Sequence, residues 1–326
     1  MEEHQQLANA EINMQEPNYK FEKEKHVLFL KYAFRSLKSY IAMDVHKLTI
    51  LYFVVGSLKI LHNLSEEENE LSVRFVLNNA VIKDGKIIGF RGGSFTGWSF
   101  NKNYTEWNYE DKPHLAATYC SLCILHMCSY NTVEKINLKI KELFEKKAIP
   151  EMLLDDSIFE EITNSQNYNG NINAQNFDTE NDARIFFCAM AIFKLLGKSP
   201  EEIKKFINYQ NGLEFLNSIY NYEGGFSMIE GGESNAGITF CSIASYNILD
   251  APVPNKDQVL FWLNSRNSPL GVNGRTNKLP DSCYSFWVMG SLSILNNLNF
   301  FDRENTISFL LNCQTCKVFF NNFLII

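Results

Sequence analysis

Four segments of this 326-residue chain open alike and continue alike. They are His114-Leu-Ala-Ala-Thr-Tyr-Cys120, Asp182-Ala-Arg-Ile-Phe-Phe-Cys188, Asn235-Ala-Gly-Ile-Thr-Phe-Cys241 and Asp281-Ser-Cys-Tyr-Ser-Phe-Trp287. Each starts on a polar residue, reaches a sulfur or bulky side chain six positions later, and runs on almost wholly apolar. A helix that is apolar all round must be buried, and self-similarity of this kind marks a repeat architecture. His46-Lys-Leu-Thr-Ile-Leu-Tyr52 reads as an earlier copy.

A second helix type alternates with the first. Phe206-Ile-Asn-Tyr-Gln210, Trp262-Leu-Asn-Ser-Arg266 and Leu310-Leu-Asn-Cys-Gln314 follow amphipathic segments such as 201–207, which keep one wet face. Glycine-rich links, Arg91-Gly-Gly-Ser-Phe95, Tyr222-Glu-Gly-Gly-Phe-Ser227 and Gly271-Val-Asn-Gly274, permit tight turns and close backbone approach. Few segments alternate with period two, so almost no sheet is expected. Buried helices inside and amphipathic helices outside give either an open solenoid or a closed, all-α α/α barrel. The polar starts His114, Asp182, Asn235 and Asp281 favour the barrel, in which they would gather around one mouth of an apolar funnel. The competing reading is a plain helical array whose polar starts are only N-caps.

The residues before about 20 are polar and expected to be disordered. Phe21 begins the helical pattern, and the barrel is expected over 21–316. Residues 317–326 match nothing in the repeat and read as an atypical tail. No basic block offsets the net charge of −7, which argues against nucleic acid and anionic membrane surfaces as partners. The polar start carries no secretory signal. The longest apolar run, 48–61, contains Lys59 and suits a core helix, so an integral membrane protein is not expected. Most of the eight cysteines fall in apolar helical stretches, which fits reduced thiols in a cytoplasmic protein.

The chemistry concentrates at 275–284. Asp281 and Cys283 lie at a helix entrance, and a carboxylate and a thiolate two apart can share one metal of the zinc type. The bland alternative is a helix cap beside a buried thiol. Arg275, Lys278 and Tyr284 lie beside the pair in sequence, and Arg184 is near the start of another inner helix. Such a set would suit a diphosphate, against which stand an Arg184–Asp182 salt bridge and a solvated Lys278. Cys313-Gln-Thr-Cys316 is read as incidental, in an outer helix away from the mouth, and His126 as a buried structural histidine.

Gly274-Arg-Thr-Asn-Lys-Leu-Pro-Asp-Ser-Cys-Tyr-Ser-Phe-Trp287, Tyr222-Glu-Gly-Gly-Phe-Ser227, the run 233–245, His114-Leu-Ala-Ala-Thr-Tyr119 and Asp182-Ala-Arg-Ile-Phe-Phe-Cys-Ala189 together resemble the β subunits of protein prenyltransferases, the geranylgeranyl type I branch in particular. The resemblance implies an α/α barrel of the α6-α6 toroid type, paired with the helical-repeat α subunit that these enzymes share. It implies a transferase that moves geranylgeranyl from its diphosphate to the cysteine of C-terminal CaaX targets, such as small GTPases, as a thioether. Asp281 and Cys283 would bind Zn2+. Arg275, Lys278, Tyr284, Arg184 and Asn235 would hold the diphosphate, with Lys278 replacing any need for magnesium. Thr49, Phe53, Arg184, Cys241 and Trp287 would line the lipid path. Val45, His114 and Ala116 would lie near the pocket for the target's last residue, with leucine favoured there. A small residue at Thr49 leaves room for a fourth isoprene unit that tryptophan in farnesyl-type enzymes excludes.

Two departures accompany the resemblance. The family has histidine where this chain has Asn235, which can donate a hydrogen bond but carries no charge. The family's third zinc ligand is a histidine on one further inner helix, and no histidine follows His126. Inner starts trail the outer-helix asparagines by 27 residues (Asn208 to Asn235) and 17 (Asn264 to Asp281), which from Asn312 sets the next start at 329–339, past Ile326. The last inner helix is therefore expected to be missing. A catalytically impaired lipid- or peptide-binding paralogue, or a farnesyltransferase β subunit, are the alternatives; Thr49 argues against the latter.

Overall fold

The computed structural model describes residues 20–39, 41–93, 112–176 and 179–314. Most of the expected N-terminal tail, Cys316 and the segment 317–326 lie outside them.

The inner helices are α2 (Lys47–Ile60), α4 (Leu115–Met127), α7 (Ala183–Leu195), α10 (Ala236–Ile248) and α12 (Ser282–Ile294). They stand in a row, each packed against the next: α2 on α4, α4 on α7, α7 on α10 and α10 on α12. Burial follows position in that row. Nine residues are buried in α7 and nine in α10, around most of the helix, whereas α12 at the edge buries Ser285, Val288, Ser291 and Leu292.

Around them run α1 (Lys23–Ser36), α3 (Glu66–Asn78), α5 (Val133–Glu145), α6 (Ser157–Asn164), α8 (Pro200–Phe206), α9 (Tyr209–Ser218), α11 (Lys256–Asn264) and α13 (Arg303–Asn312). Several show single buried stripes: Ile136, Lys139, Ile140 and Leu143 on α5, or Val259, Trp262 and Leu263 on α11. Their starts carry clear local signals. Ser65 and Glu68 form a capping box at α3; Ser199 and Glu202 form another at α8, with Pro200 in the first turn. No helix among the described residues is long and apolar enough to cross a membrane.

Two short hairpins interrupt the helices. Strands β1 (Ala80–Lys83) and β2 (Lys86–Phe90) pair antiparallel, Ala80 opposite Phe90 and Lys83 opposite Lys86. Their turn uses Asp84 and Gly85, both at positive φ as a two-residue hairpin requires. Strands β3 (Asn267–Ser268) and β4 (Gly271–Val272) form the second.

The ends of the described chain meet. Gln314, just after α13, accepts a hydrogen bond from the Glu22 N–H at 2.9 Å and donates to the Lys20 carbonyl at 3.4 Å. Its side-chain oxygen is also 3.1 Å from His26 Nε2. The array is a ring, the barrel of the two architectures the repeat allowed.

Candidate functional site at the mouth of the ring

One local device recurs at four inner helices. The residue before the helix caps it, accepting the backbone N–H two positions on. His114 Nδ1 takes Ala116 N–H at 3.2 Å, Asp182 Oδ1 takes Arg184 at 2.8 Å, Asn235 Oδ1 takes Gly237 at 2.8 Å and Asp281 Oδ1 takes Cys283 at 3.1 Å. The polar starts are thus N-caps, and the parallel packing of the inner row sets them on the same rim.

The glycine-rich loops are sewn to these caps. Phe90 donates its N–H to Thr118 Oγ1 and accepts from His114 N–H; Phe226 repeats this with Thr239 and Asn235. The third loop does it differently: the Gly274 carbonyl accepts from Ala236 N–H at 2.9 Å, and Asp281 N–H donates to the Val272 carbonyl. Gly274 lies directly on the Tyr284 ring, where an added Cβ would come within 2.1 Å of ring carbons. A side chain there would push the loop off the helix start.

The rim carries both expected arginines, each engaged with its own carboxylate. Arg184 grips Asp182 through Nε, at 3.0 and 3.1 Å, and Nη2, at 2.6 Å. That grip raises the guanidinium's pKa. Arg275 Nη1 is 3.3 Å from Glu233 Oε2, and both are well exposed. Lys278 is exposed and makes no side-chain hydrogen bond or ion pair among the described residues. His114 Nε2 lies 3.5 Å from Glu180, which also acts on Arg184. Val45 is exposed beside the Gly92 backbone.

Below the rim runs a wall that the sequence reading captured only in part. The residue five positions after each cap is aromatic: Tyr119, Phe187, Phe240 and Phe286. With Phe53 and Tyr52 from α2 and Trp287 from α12 they form a continuous ribbon. Ring centroids lie 5.0 Å apart for Phe53–Tyr52, 6.0 for Tyr52–Tyr119, 5.5 for Tyr119–Phe187, 5.7 for Phe187–Phe240 and 5.2 for Phe240–Trp287. The signal was present in the aligned helix starts, one position before the residue singled out. One place further sit Cys120, Cys188 and Cys241, all buried. Burial pushes the Cys120 and Cys241 thiols up to about 12 and raises Cys188 well above the ordinary range. They are protonated, apolar wall groups. Thr49 Oγ1 is 3.9 Å from Cys120 Sγ, so the expected lipid residues Thr49, Phe53, Cys241 and Trp287 share this wall.

Asp281 and Cys283 are both exposed at the start of α12. Desolvation and the neighbouring Asp281 carboxylate together raise the Cys283 thiol to about 12. A thiol and a carboxylate this close fit zinc in donor type. Among the described residues, no group of three His, Cys, Asp or Glu could hold a metal, so the pair supplies two protein donors only. Cys313, expected away from the mouth, is close enough to Asp281 for the carboxylate to raise its thiol, after burial, without completing a set. His126, expected to be a buried structural histidine, is half-buried, with its Nδ1 3.0 Å from the Leu122 carbonyl.

Residues 21–319 match the family described as the prenyltransferase alpha-alpha toroid domain. The chain belongs to this family. Among its relatives is the geranylgeranyl transferase type-1 subunit beta of Arabidopsis thaliana, 26% identical over an alignment spanning 92% of this chain and 79% of the relative. The protein of the same name from Dictyostelium discoideum is 28% identical over 82% of this chain and 74% of its own. In structure the chain is similar to Candida albicans protein geranylgeranyltransferase-I complexed with GGPP, with a TM-score of 0.68 and 23% identity over 90% of this chain and 82% of that one. The likeness establishes the shared toroid fold. These relatives agree with the resemblance carried by residues 114–119, 182–189, 222–227, 233–245 and 274–287.

Proposed function

We propose that this chain is the β subunit of a protein geranylgeranyltransferase of type I, built on one barrel domain over 21–316. It works in the cytoplasm as a heterodimer with the shared prenyltransferase α subunit. The observation that carries the reading is the aromatic ribbon from Phe53 to Trp287, lying beneath a rim that holds Arg184, Asn235, Arg275, Lys278 and Tyr284. An apolar wall under a cationic edge suits an isoprenoid diphosphate, tail along the wall and phosphates at the rim.

The polar groups divide the work. Lys278 carries an uncommitted charge, which suits a leaving group without magnesium. Arg275 reaches the diphosphate by exchanging Glu233 for it, and an exposed pair costs little to break. Arg184, already oriented by Asp182, supports the same end. Asn235 spends its oxygen on the helix cap, which leaves its amide N–H groups to donate. These groups offset the charge that grows as the C1–O bond breaks and the diphosphate leaves with the bonding pair. The target cysteine's sulfur forms the new bond to C1. Asp281 and Cys283 would hold zinc, which when bound supplies the thiolate form of the incoming cysteine. Val45, His114 and Ala116 would border the CaaX end, leucine being the favoured last residue.

The uncharged Asn235 favours a second reading, a paralogue that keeps the lipid site and has lost turnover. Transfer assays with the full chain and its α subunit separate the two. The expected result is geranylgeranyl transfer to a peptide ending in leucine, about tenfold preferred over farnesyl, with Thr49→Trp reversing the preference, as a pocket losing several methylenes of room would. Lipid binding without zinc or transfer would establish the second reading; a farnesyl preference in the wild type would overturn the assignment of Thr49.

A further inference from the structure

Arg266 follows α11 and is only 6% exposed, although it belongs to no motif that the site required. Its guanidinium lies 4.7 Å over the Trp262 ring, and Nε donates to the Trp262 carbonyl at 3.2 Å. Nη1 reaches across to Thr276 Oγ1 at 3.3 Å. Its own carbonyl accepts from Asn273 N–H at 3.0 Å. Arg266 therefore ties down both ends of the segment 273–276, which leads into the exposed turn bearing Arg275 and Lys278.

A buried guanidinium is costly unless its charge and donors are met. Among the described residues no carboxylate pairs with Arg266 at contact distance; Glu223 faces it electrostatically, with a buried Oε2 that lacks a hydrogen-bond partner. Burial pulls the guanidinium below its ordinary range. Trp262, in turn, packs on Gly225, where a Cβ would come within 2.9 Å of the indole. One desolvated charge thus sits between two glycine-rich loops, those of Glu223 and Thr276. A helix end needs no such arrangement, since a neutral side chain would pack on Trp262 without desolvation.

We propose that Arg266 is a positioning residue for the diphosphate: through Thr276 it fixes the loop in the shape that presents Arg275 and Lys278 at the rim. This rests on the prenyltransferase reading above. The loop's other ties include the Gly274 carbonyl to Ala236 N–H, the exposed Arg275–Glu233 pair and a long turn bond from Lys278 N–H to the Arg275 carbonyl, 3.4 Å. None of these acts on the Thr276 side chain, and Asn277 beside it stands at φ +59°. Without Arg266 the two cations spread over more positions, and an anion must order them on binding.

The test measures binding of geranylgeranyl diphosphate and of geranylgeraniol, the uncharged alcohol, to the full chain co-expressed with its α subunit. Thr276 is exposed, so its variants leave the core untouched. Thr276→Val weakens diphosphate binding about fivefold, the scale of one ordinary hydrogen bond, and Thr276→Ser restores it. Arg266→Met weakens it about tenfold or more, and adding Thr276→Val to it costs nothing further, since both act through one contact. Alcohol binding stays unchanged in the Thr276 variants. Unchanged diphosphate binding in Thr276→Val, or an equal loss for both ligands, overturns the positioning role. A wild type that binds the alcohol but not the diphosphate instead overturns the transferase reading, and this inference with it.

Discussion

Helices α7 and α12 start from the same design and end in different chemistry. Both are capped by aspartate, and both caps accept the N–H of the residue two positions on. At α7 that residue is Arg184, whose fork closes over Asp182 and leaves the carboxylate nearly buried. At α12 it is Cys283, too short and uncharged to close anything, so the Asp281 carboxylate stays open to the rim. The neighbours reinforce the contrast. α7 is packed on both sides, by α4 and α10, whereas α12 is packed on α10 alone among the inner helices described. Phe187 is half-buried between Tyr119 and Phe240, while Phe286 at the equivalent position is 61% exposed. A cap is structural by default; the residue two places later decides whether its carboxylate is closed over or left open.

The sharpest way to break this comparison is aspartate to asparagine at both caps, because asparagine caps as well as aspartate does. Asp281→Asn is expected to leave the thermal midpoint unchanged and to cost about 100-fold or more in zinc retention and transfer, the scale of losing a metal donor. Asp182→Asn is expected to weaken diphosphate binding only a few-fold, since Arg184 remains. Equal losses at the two positions would mean that α12 is no more a binding site than α7.

Next comes stability. Urea unfolding should show Phe187→Ala costing about 2–3 kcal/mol, a partly buried aromatic deleted from a packed ribbon, and Phe286→Ala under about 1 kcal/mol. Equal costs would imply that α12's outer face is as well covered in solution as α7's.

The smallest effect concerns pH. Cys120 and Cys241 border Cys188 on α7, and burial holds both near 12. Their folded values lie above their unfolded ones, so their stabilisation is complete below the ordinary thiol range and fades from about pH 9 towards 12. At pH 10 each thiol should account for about 1.5–2 kcal/mol of loss. Scanning fluorimetry from pH 7 to 11 should show the midpoint falling more steeply in the wild type than in Cys241→Ala. Parallel curves would mean that the wall around α7 is wet.

The inner helices were legible because each carries its own evidence: a polar start and an all-apolar body within one stretch of chain. The Arg184–Asp182 bridge was legible for the same reason, since the partners lie two positions apart. What escaped the reading joins distant segments. Arg275 meets Glu233 from 42 positions away, and the ties from Arg266 and Trp262 to the two loops exist only once the outer helix has docked. The β1–β2 hairpin was signalled by Asp84-Gly85, but its strands are too short to show alternation against a helical background. The aromatic ribbon lay in plain sight, masked by the sulfur and bulky residues one position later.

The Gln314 contact with Lys20, Glu22 and His26 is the clasp of the ring. Both sides of it are shallowly set: α1 buries no residue and α13 buries only Thr306. A hoop joined at so shallow a buckle can unlatch there while the α4–α7–α10 wall keeps its shape, because local opening costs only what the opened segment had gained.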